Sequence, residues 1–556
     1  MGLSKLLFSS RYLQNGAGYM GRRLLASEAG HSPCESSGNK ESGKSVVNAK
    51  AAVCGVYIAD GRFELTSYGQ EVDGKGSNKL TQHLNVLGPE FKVGQAVVVT
   101  DVGEFEAVAL TSFGPKDAEQ NELEGLHEGR ENIRWGIGAG YRVLNPYGFA
   151  KWQMWYDASV HRDASCEALT LAEWKFDKFR HYPPLPPAGQ PSIDTDEGKM
   201  GVVRGQAQNW ARYLSDMPAN KMTPTDVAQE AIDVLCPLGV KVTAHDQHWI
   251  EANNMQAFLT VARGSCEPPI FLECEYKGLD SGNVILMAAK GVTFDSGGLC
   301  LKKPSDMIEN RGSMAGAACA LGAIRALAEL KEKVNVTLVV PLCENMISGQ
   351  CMKVGDIVPA LNGVNIQIED TDMEGRLMMA DALVYGQARY RPYIVVDVAT
   401  LTHALVYGQA RYRPYIVVDV ATLTHGIKMA TGGGCYGCFA NKEYLWDCAK
   451  RAGATSGDRP WRFPLWDYYK RQIVDDPSVD LRNRGSGKAT PCIGAAFLQQ
   501  FVCTDWLHFD ITGVGKLAHD PPPYLCSKRM SGRPTRALTH TLINIATHEE
   551  CRAKSH

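Results

Sequence analysis

Short, unbroken apolar runs separated by helical stretches constrain this chain more than any other feature. VILMAA (284–289), VTLVVPL (336–342) and YIVVDVA (393–399) do not alternate polar and apolar residues. A strand has such a run when both its faces are covered, as in a parallel sheet sandwiched between helices. Helical stretches such as AGAACALGAIRALAELKEK (315–333) lie between the runs. That order predicts an α/β fold with a mainly parallel central sheet. Ligand sites in such sheets gather outside the carboxyl ends of strands, and Lys290 stands directly after VILMAA.

At 556 residues the chain exceeds what one core holds, so two large domains are expected. AAVCGVYIA (51–59) and AVVVTDV (96–102) read as strands and HEGRENIRWGIGAGYRVL (127–144) as a helix. They place a smaller N-terminal α/β domain over 46–197, closed by the Pro-rich HYPPLPPAGQP (181–191). A linking helix over 198–221 leads into a larger C-terminal α/β domain over 222–556.

Residues 1–45 read differently. The first 27 carry Lys5, Arg11, Arg22 and Arg23 with no acid, and Leu3, Leu6, Leu7 and Leu13 share a helical face. This is the composition of a mitochondrial transit peptide, followed by a flexible spacer. A cytoplasmic location is the alternative. The net charge of −3 gives no reason to expect nucleic acid or an anionic membrane as partner, and no apolar run reaches the ~18 residues a span needs. The 17 cysteines are scattered through predicted elements, a pattern of reduced thiols rather than a disulfide framework.

Residues 382–403 and 404–425 are the same 22 letters, ALVYGQARYRPYIVVDVATLTH, in tandem. Two perfect copies are not a solenoid. The unit is one helix plus one strand, and one slot in a sheet takes one strand. The second copy is therefore expected as an extruded apolar loop or an addition elsewhere, from a recent duplication or an error in the coding sequence.

KGVTFDSGG (290–298) and DTDMEGR (370–376) crowd Lys290, Asp295, Lys302, Asp372, Glu374 and Arg376 into glycine-rich turns after apolar strands. Any one of these alone reads as solvated surface. Together, carboxylates at strand ends call for a neutralising cation, and metal beside a lysine and an arginine points to hydrolysis.

With PLCENM (341–346), DTDMEGRLMMADAL (370–383), SGRPTRAL (531–538), HEGRENIR (127–134) and DMPANKMTPT (216–225), the chain resembles the leucyl aminopeptidase family from about residue 50 onward. The resemblance implies a two-domain α/β subunit, a homohexamer, and two divalent metals (Mn²⁺ or Zn²⁺, with Mg²⁺ a further option). It also implies removal of N-terminal residues from peptides. Asp295 would bridge the metals; Asp372 and Glu374, two apart on extended backbone, would ligate from one turn. Lys290 would ligate through a neutral amine. Lys302 would polarise the scissile carbonyl and stabilise its oxyanion, and Arg376 would hold a bicarbonate-like anion as general base.

The chain departs from the family pattern at one ligand. Where the resemblance implies an aspartate, eleven residues after Lys302, RGSMAGAA (311–318) places Ser313. Three carboxylates then face two dications, and a hydroxyl is a poor ligand for a hard ion. The second metal is expected to bind weakly. Glu309, one helical turn earlier, is a surrogate acid, and Asp306 a weaker one. The pocket departs too: Asn310 replaces an apolar residue, His425 follows the substrate-contacting TLT, and Gly515 replaces another apolar side chain. Thr422 and Leu423 would contact substrate, with Thr400 and Leu401 of the first copy competing. CYGC (435–438) lacks a second pair and reads as plain backbone; RGSGKAT (484–490) lacks the P-loop's leading glycine.

The expected protein is a metal-dependent aminopeptidase impaired at Ser313. The alternative is a catalytically dead structural paralogue in mitochondria, similar to divergent sperm-type leucyl aminopeptidases.

Overall fold

The computed structural model describes residues 48–548 apart from 89, 146–150, 182–193, 281–283, 362–364, 369, 391–393, 399–415, 422–424, 475–487, 500–504 and 516–520. The transit-like segment, most of the Pro-rich stretch, Thr400, Leu401, Thr422, Leu423 and most of RGSGKAT lie outside the described residues.

The first sheet is built on β1 (Asn48–Ala59), with β2 (Arg62–Leu65), β3 (Ala96–Val102), β4 (Phe105–Pro115) and β5 (Lys151–Tyr156). β1 runs parallel to β4 and β5. Its continuous apolar run follows from two covered faces. Ala51 and Val53 pack into one cluster, which includes Ile133 and Ile137 of α1 (Glu128–Leu144). Ala52, Cys54 and Val56 pack into another on the opposite face. The side-chain period of two delivers alternate residues to each.

The second sheet has ten strands among the described residues. Their order is β14 (Pro460–Arg462), β13 (Tyr436–Ala440), β15 (Asp505–Asp510), β12 (Ile416–Ala421), β11 (Ile394–Val398), β8 (Val284–Ala289), β10 (Asn335–Asn345), β7 (Ile270–Lys277) and β6 (Lys241–His245), with β9 (Gly291–Asp295) also on β10. From β10 through β8, β11 and β12 to β15 every pairing is parallel. Antiparallel β7 and β13 flank this central block. In β8, Ile285, Met287 and Ala289 join the cluster that includes α4 (Ala315–Glu329). Leu286 and Ala288 join the one that includes α5 (Gly375–Tyr390). The two-domain α/β expectation therefore holds.

The repeat corrects the expectation drawn from it. Neither strand is extruded. Copy one forms β11 and copy two forms β12, adjacent and parallel, with Ile394 opposite Ile416 and Val398 opposite Val420. An identical apolar strand fits any slot covered on both faces, so the sheet accepts both copies.

Buried ion pairs tie the first sheet's helices to the end of the chain. Glu167, on α2 (Arg162–Glu173), pairs with Arg134 Nε at 2.8 Å and with Arg536 of α6 (Thr535–Thr547). Tyr524 donates to Glu131 Oε1 at 2.7 Å. The linking segment is helix α3 (Asp196–Asp216), which packs against α2 and α4. The cysteines of the described residues are free thiols; burial pushes those of Cys435 and Cys438 up, so CYGC behaves as plain structure.

Candidate metal centre

Lys290 follows the last residue of β8, and Asp295 ends β9, opposite Asn345 at the end of β10. The chain then turns through Gly297 and Gly298 at φ +86° and +66°. These are left-handed conformations that favour glycine. A Cβ on Gly297 would stand 2.5 Å from the Cys300 carbonyl oxygen and 3.0 Å from Asp372 Oδ1, so only glycine lets the two acidic segments approach this closely. Lys302 N donates to Ser296 O at 2.9 Å and closes the turn.

Asp372 and Glu374 arrive from the other side. Their segment is a 3₁₀ turn (Thr371–Met373) leading straight into α5, not the extended backbone expected from the sequence. Asp370 causes the difference, because its side chain accepts the Asp372 N–H at 2.9 Å and caps the turn. The carboxylates converge nonetheless: ligand oxygens of Asp295, Asp372 and Glu374 all lie within 4.8 Å of one another.

Two residues that sequence reasoning missed hold the segments together. Asn345 Nδ2 donates to Asp295 Oδ1 at 2.9 Å and to Thr371 O at 3.1 Å. Thr371 Oγ1 donates to Gly297 O at 2.7 Å and accepts from Cys300 N at 2.8 Å. Asn345 sits inside PLCENM; its signal was a buried amide at the end of an apolar strand.

Both lysines enter the cluster. Lys290 Nζ lies 2.5 Å from Glu374 Oε1. Lys302 Nζ lies 3.2 Å from Asp295 Oδ2 and also contacts Asp372. Burial opposes the charge on Lys302, but Asp295, Glu374 and Asp372 outweigh it and hold its pKa above the ordinary lysine value. Burial also opposes ionisation of Asp295, yet Lys290 and Lys302, with Asn345 and the Gly297 N–H, keep it below the usual range. Glu374 goes the other way: burial first and Asp295 second push it up to about 7. Asp372 is raised by the same two causes.

These observations fit a divalent cation. Two buried acids and the half-buried Asp372 meet, two of the three resist ionising, and Glu374 Oε2 is buried without a hydrogen-bond donor. Hard oxygen donors are the set such ions take.

Ser313 lies in the same cluster. It sits on a 3₁₀ helix (Asn310–Met314), is buried, and its Oγ donates to Asp295 Oδ2 at 3.4 Å. Glu309, the expected surrogate, is drawn elsewhere: its Oε2 lies 4.0 Å from Lys428 Nζ, and it is not among the three converging acids. The side chains of Asp306 and Arg376 lie outside the described structure; Arg376 is the second residue of α5. Asn310 is buried, and its Nδ2 has no hydrogen-bond acceptor.

A sequence model of the cytosol aminopeptidase family's catalytic domain matches residues 209–410 and 403–539. The human cytosol aminopeptidase is 36% identical over 509 residues, covering 89% of this chain and 93% of that protein. This chain belongs to the cytosol aminopeptidase family. Its Dictyostelium discoideum relative is 33% identical over 519 residues, covering 89% of this chain and 92% of its own. Among solved structures, the bottromycin maturation enzyme BotP shares the fold at a TM-score of 0.70 and 24% identity, over 90% of this chain and all of that one. A BotP structure in complex with Mn aligns equally well. Membership supports a peptidase of the leucyl aminopeptidase type, and the carboxylate cluster is consistent with the family's divalent-metal chemistry. Among the described residues no helix is long and apolar enough to cross a membrane.

Proposed function

We propose that this chain is a leucyl-type aminopeptidase with a weakened metal site, working on peptide N-termini at low efficiency. Ser313 carries this reading. Its hydroxyl lies against Asp295 within the carboxylate cluster, at the position where the family resemblance implies a fourth acid. Asp295, Asp372 and Glu374, with Lys290, hold one dication firmly and a second weakly. The ions are manganese or zinc, with magnesium a further option, and the structure of BotP with Mn is consistent with the first.

A divalent metal at these residues supplies Lewis acidity and an activated water. The chain's own groups do the rest. Lys302, held charged by the neighbouring acids, stabilises the oxyanion that develops on the scissile carbonyl. Arg376, at the start of α5, would hold a bicarbonate-like anion, which would supply general-base capacity beside the attacking water. Asn345 and Thr371 fix the ligand segments so that reorganisation is small. Thr422, Leu423 and Asn310 contact the substrate. The first 27 residues direct the chain to mitochondria, and six subunits assemble.

A second reading, a catalytically dead paralogue kept for its structural role, draws support from Ser313 and from the unpaired amide of Asn310, which suits no leucine side chain. Retention of Lys302 in contact with two ligand acids favours the first reading. Metal content after dialysis, measured with turnover of leucyl amide, separates them. One firmly held metal with slow turnover is expected. Two firmly held metals with ordinary family turnover would sink the weakened-site reading, and no turnover at saturating manganese would establish the dead one.

A further inference from the structure

Family membership leaves the tandem repeat unexplained. The two family matches, 209–410 and 403–539, meet in the repeat, and each contains one whole copy. The repeat is thus where this chain departs from one continuous family pattern.

The sheet shows where the surplus goes. β11 pairs with β8 from Ile285↔Ile394 to Ala289↔Val398. β12 pairs with β11, identical residue opposite identical residue, and then with β15 from Ile416↔Asp505 to Ala421↔Asp510. We infer that the second copy inserts one whole strand into the middle of the catalytic sheet. It divides the site into an intact metal half and a displaced pocket half, and so limits substrate binding independently of Ser313. This rests on the aminopeptidase reading above for what the pocket binds.

Every member of the metal cluster precedes the repeat. Lys290 and Asp295 follow from β8 and β9, Asn345 ends β10, and Asp372 and Glu374 enter α5. No pairing among these is touched by an added strand. β15, and Gly515 of the pocket shortly after it, stand one strand further from β8 than a single copy would place them, about 4.8 Å. A misplacement of about 1 Å already costs on the order of a hundredfold in rate. The second half still closes on the first, since Lys428 reaches Glu309. The insertion therefore shifts pocket walls without removing them.

The test is deletion of residues 404–425, which yields the same polypeptide as deletion of 382–403. Manganese content after dialysis, the denaturation midpoint and kcat/KM for hydrolysis of the dipeptide Leu-Leu are measured in the native and Ser313→Asp backgrounds. Metal content should be unchanged by the deletion in each background, and a cooperative midpoint should show that the deleted chain folds. The kcat/KM for Leu-Leu should rise on the order of tenfold to a hundredfold in both backgrounds. An unchanged kcat/KM, or loss of metal on deletion, would overturn the inference. A response to Ser313→Asp alone would support the metal reading and not this one. Should the deleted chain fail to fold, Val396→Cys with Val418→Cys in the full chain decides, because these positions are paired neighbours. Oxidative cross-linking mapped by mass spectrometry is expected; its absence would refute adjacency of the copies.

Discussion

Ser313 Oγ stands 3.4 Å from Asp295 Oδ2, the same oxygen that lies 3.2 Å from Lys302 Nζ. A hydroxyl and an ammonium thus share the carboxylate oxygen on the side facing the position of the implied fourth acid. Three carboxylates meet here, and Lys302 already contacts two of them before any ion enters. Burial first and Asp295 second raise Asp372 and Glu374, and a first dication would offset both. A second finds little negative charge left to meet.

Restoring the acid tests this directly. Ser313→Asp should raise retained metal from one to two ions per subunit and raise kcat/KM for leucyl amide by at least about tenfold, as changes in ligand support do. Plasma emission analysis of dialysed protein, alongside turnover, reads both. No change in either would place the defect elsewhere.

Lys302 should matter for rate and not for metal. Its Nζ contacts two ligand acids, and its charge is held by three. Lys302→Met should lower kcat about 10²–10³-fold, the loss seen when an oxyanion donor is removed. Metal retention should be unchanged or better, because a competing cation is gone. Loss of metal in this variant would make Lys302 a structural counter-ion only.

Asn345 braces both ligand segments through one amide. Asn345→Ala should weaken manganese affinity by about 10–100-fold, the usual loss for a partner behind the ligands. Asn345→Asp should not rescue it, because a carboxylate cannot donate to Asp295. Equal affinity in both variants and the native chain, by competitive chelator titration, would show the amide to be incidental.

The sequence announced the strands because burial on both faces leaves a local trace. VILMAA reads as a covered strand whichever neighbours it has, and it became β8. The metal acids were legible for a similar reason: their chemistry is extreme wherever the chain places it. The destination of the repeat was not legible. Nothing in YIVVDVATLT limits how many strands a sheet accepts, since slot number is fixed by partners remote in sequence, here β8 and β15. The turn at Thr371–Met373 was misread for want of one contact, the Asp370 cap, which stiffens three residues into a 3₁₀ turn. Asn345 and Thr371 carry no unusual chemistry, and only their positions between the acidic segments give them a role.

Asp381 provides a pH signature separate from the metal cluster. It is fully buried on α5 and accepts the N–H groups of Phe258 at 2.9 Å and Leu361 at 2.8 Å. Burial outweighs these donors and pushes its pKa up to about 7. The folded chain therefore binds this proton more tightly than the unfolded chain, whose aspartate has a pKa near 3.9. The stabilisation is full below about pH 4 and is lost as pH rises through about 7, at up to about 1.4 kcal/mol per pH unit from this one group. Urea midpoints measured from pH 4 to 8 in Asp381→Asn should lack this slope while the native chain keeps it. The variant will also be less stable at low pH, since an amide presents only one oxygen to the two N–H donors. If both chains show the same slope, the proton belongs to another group and Asp381 is ionised in its buried site.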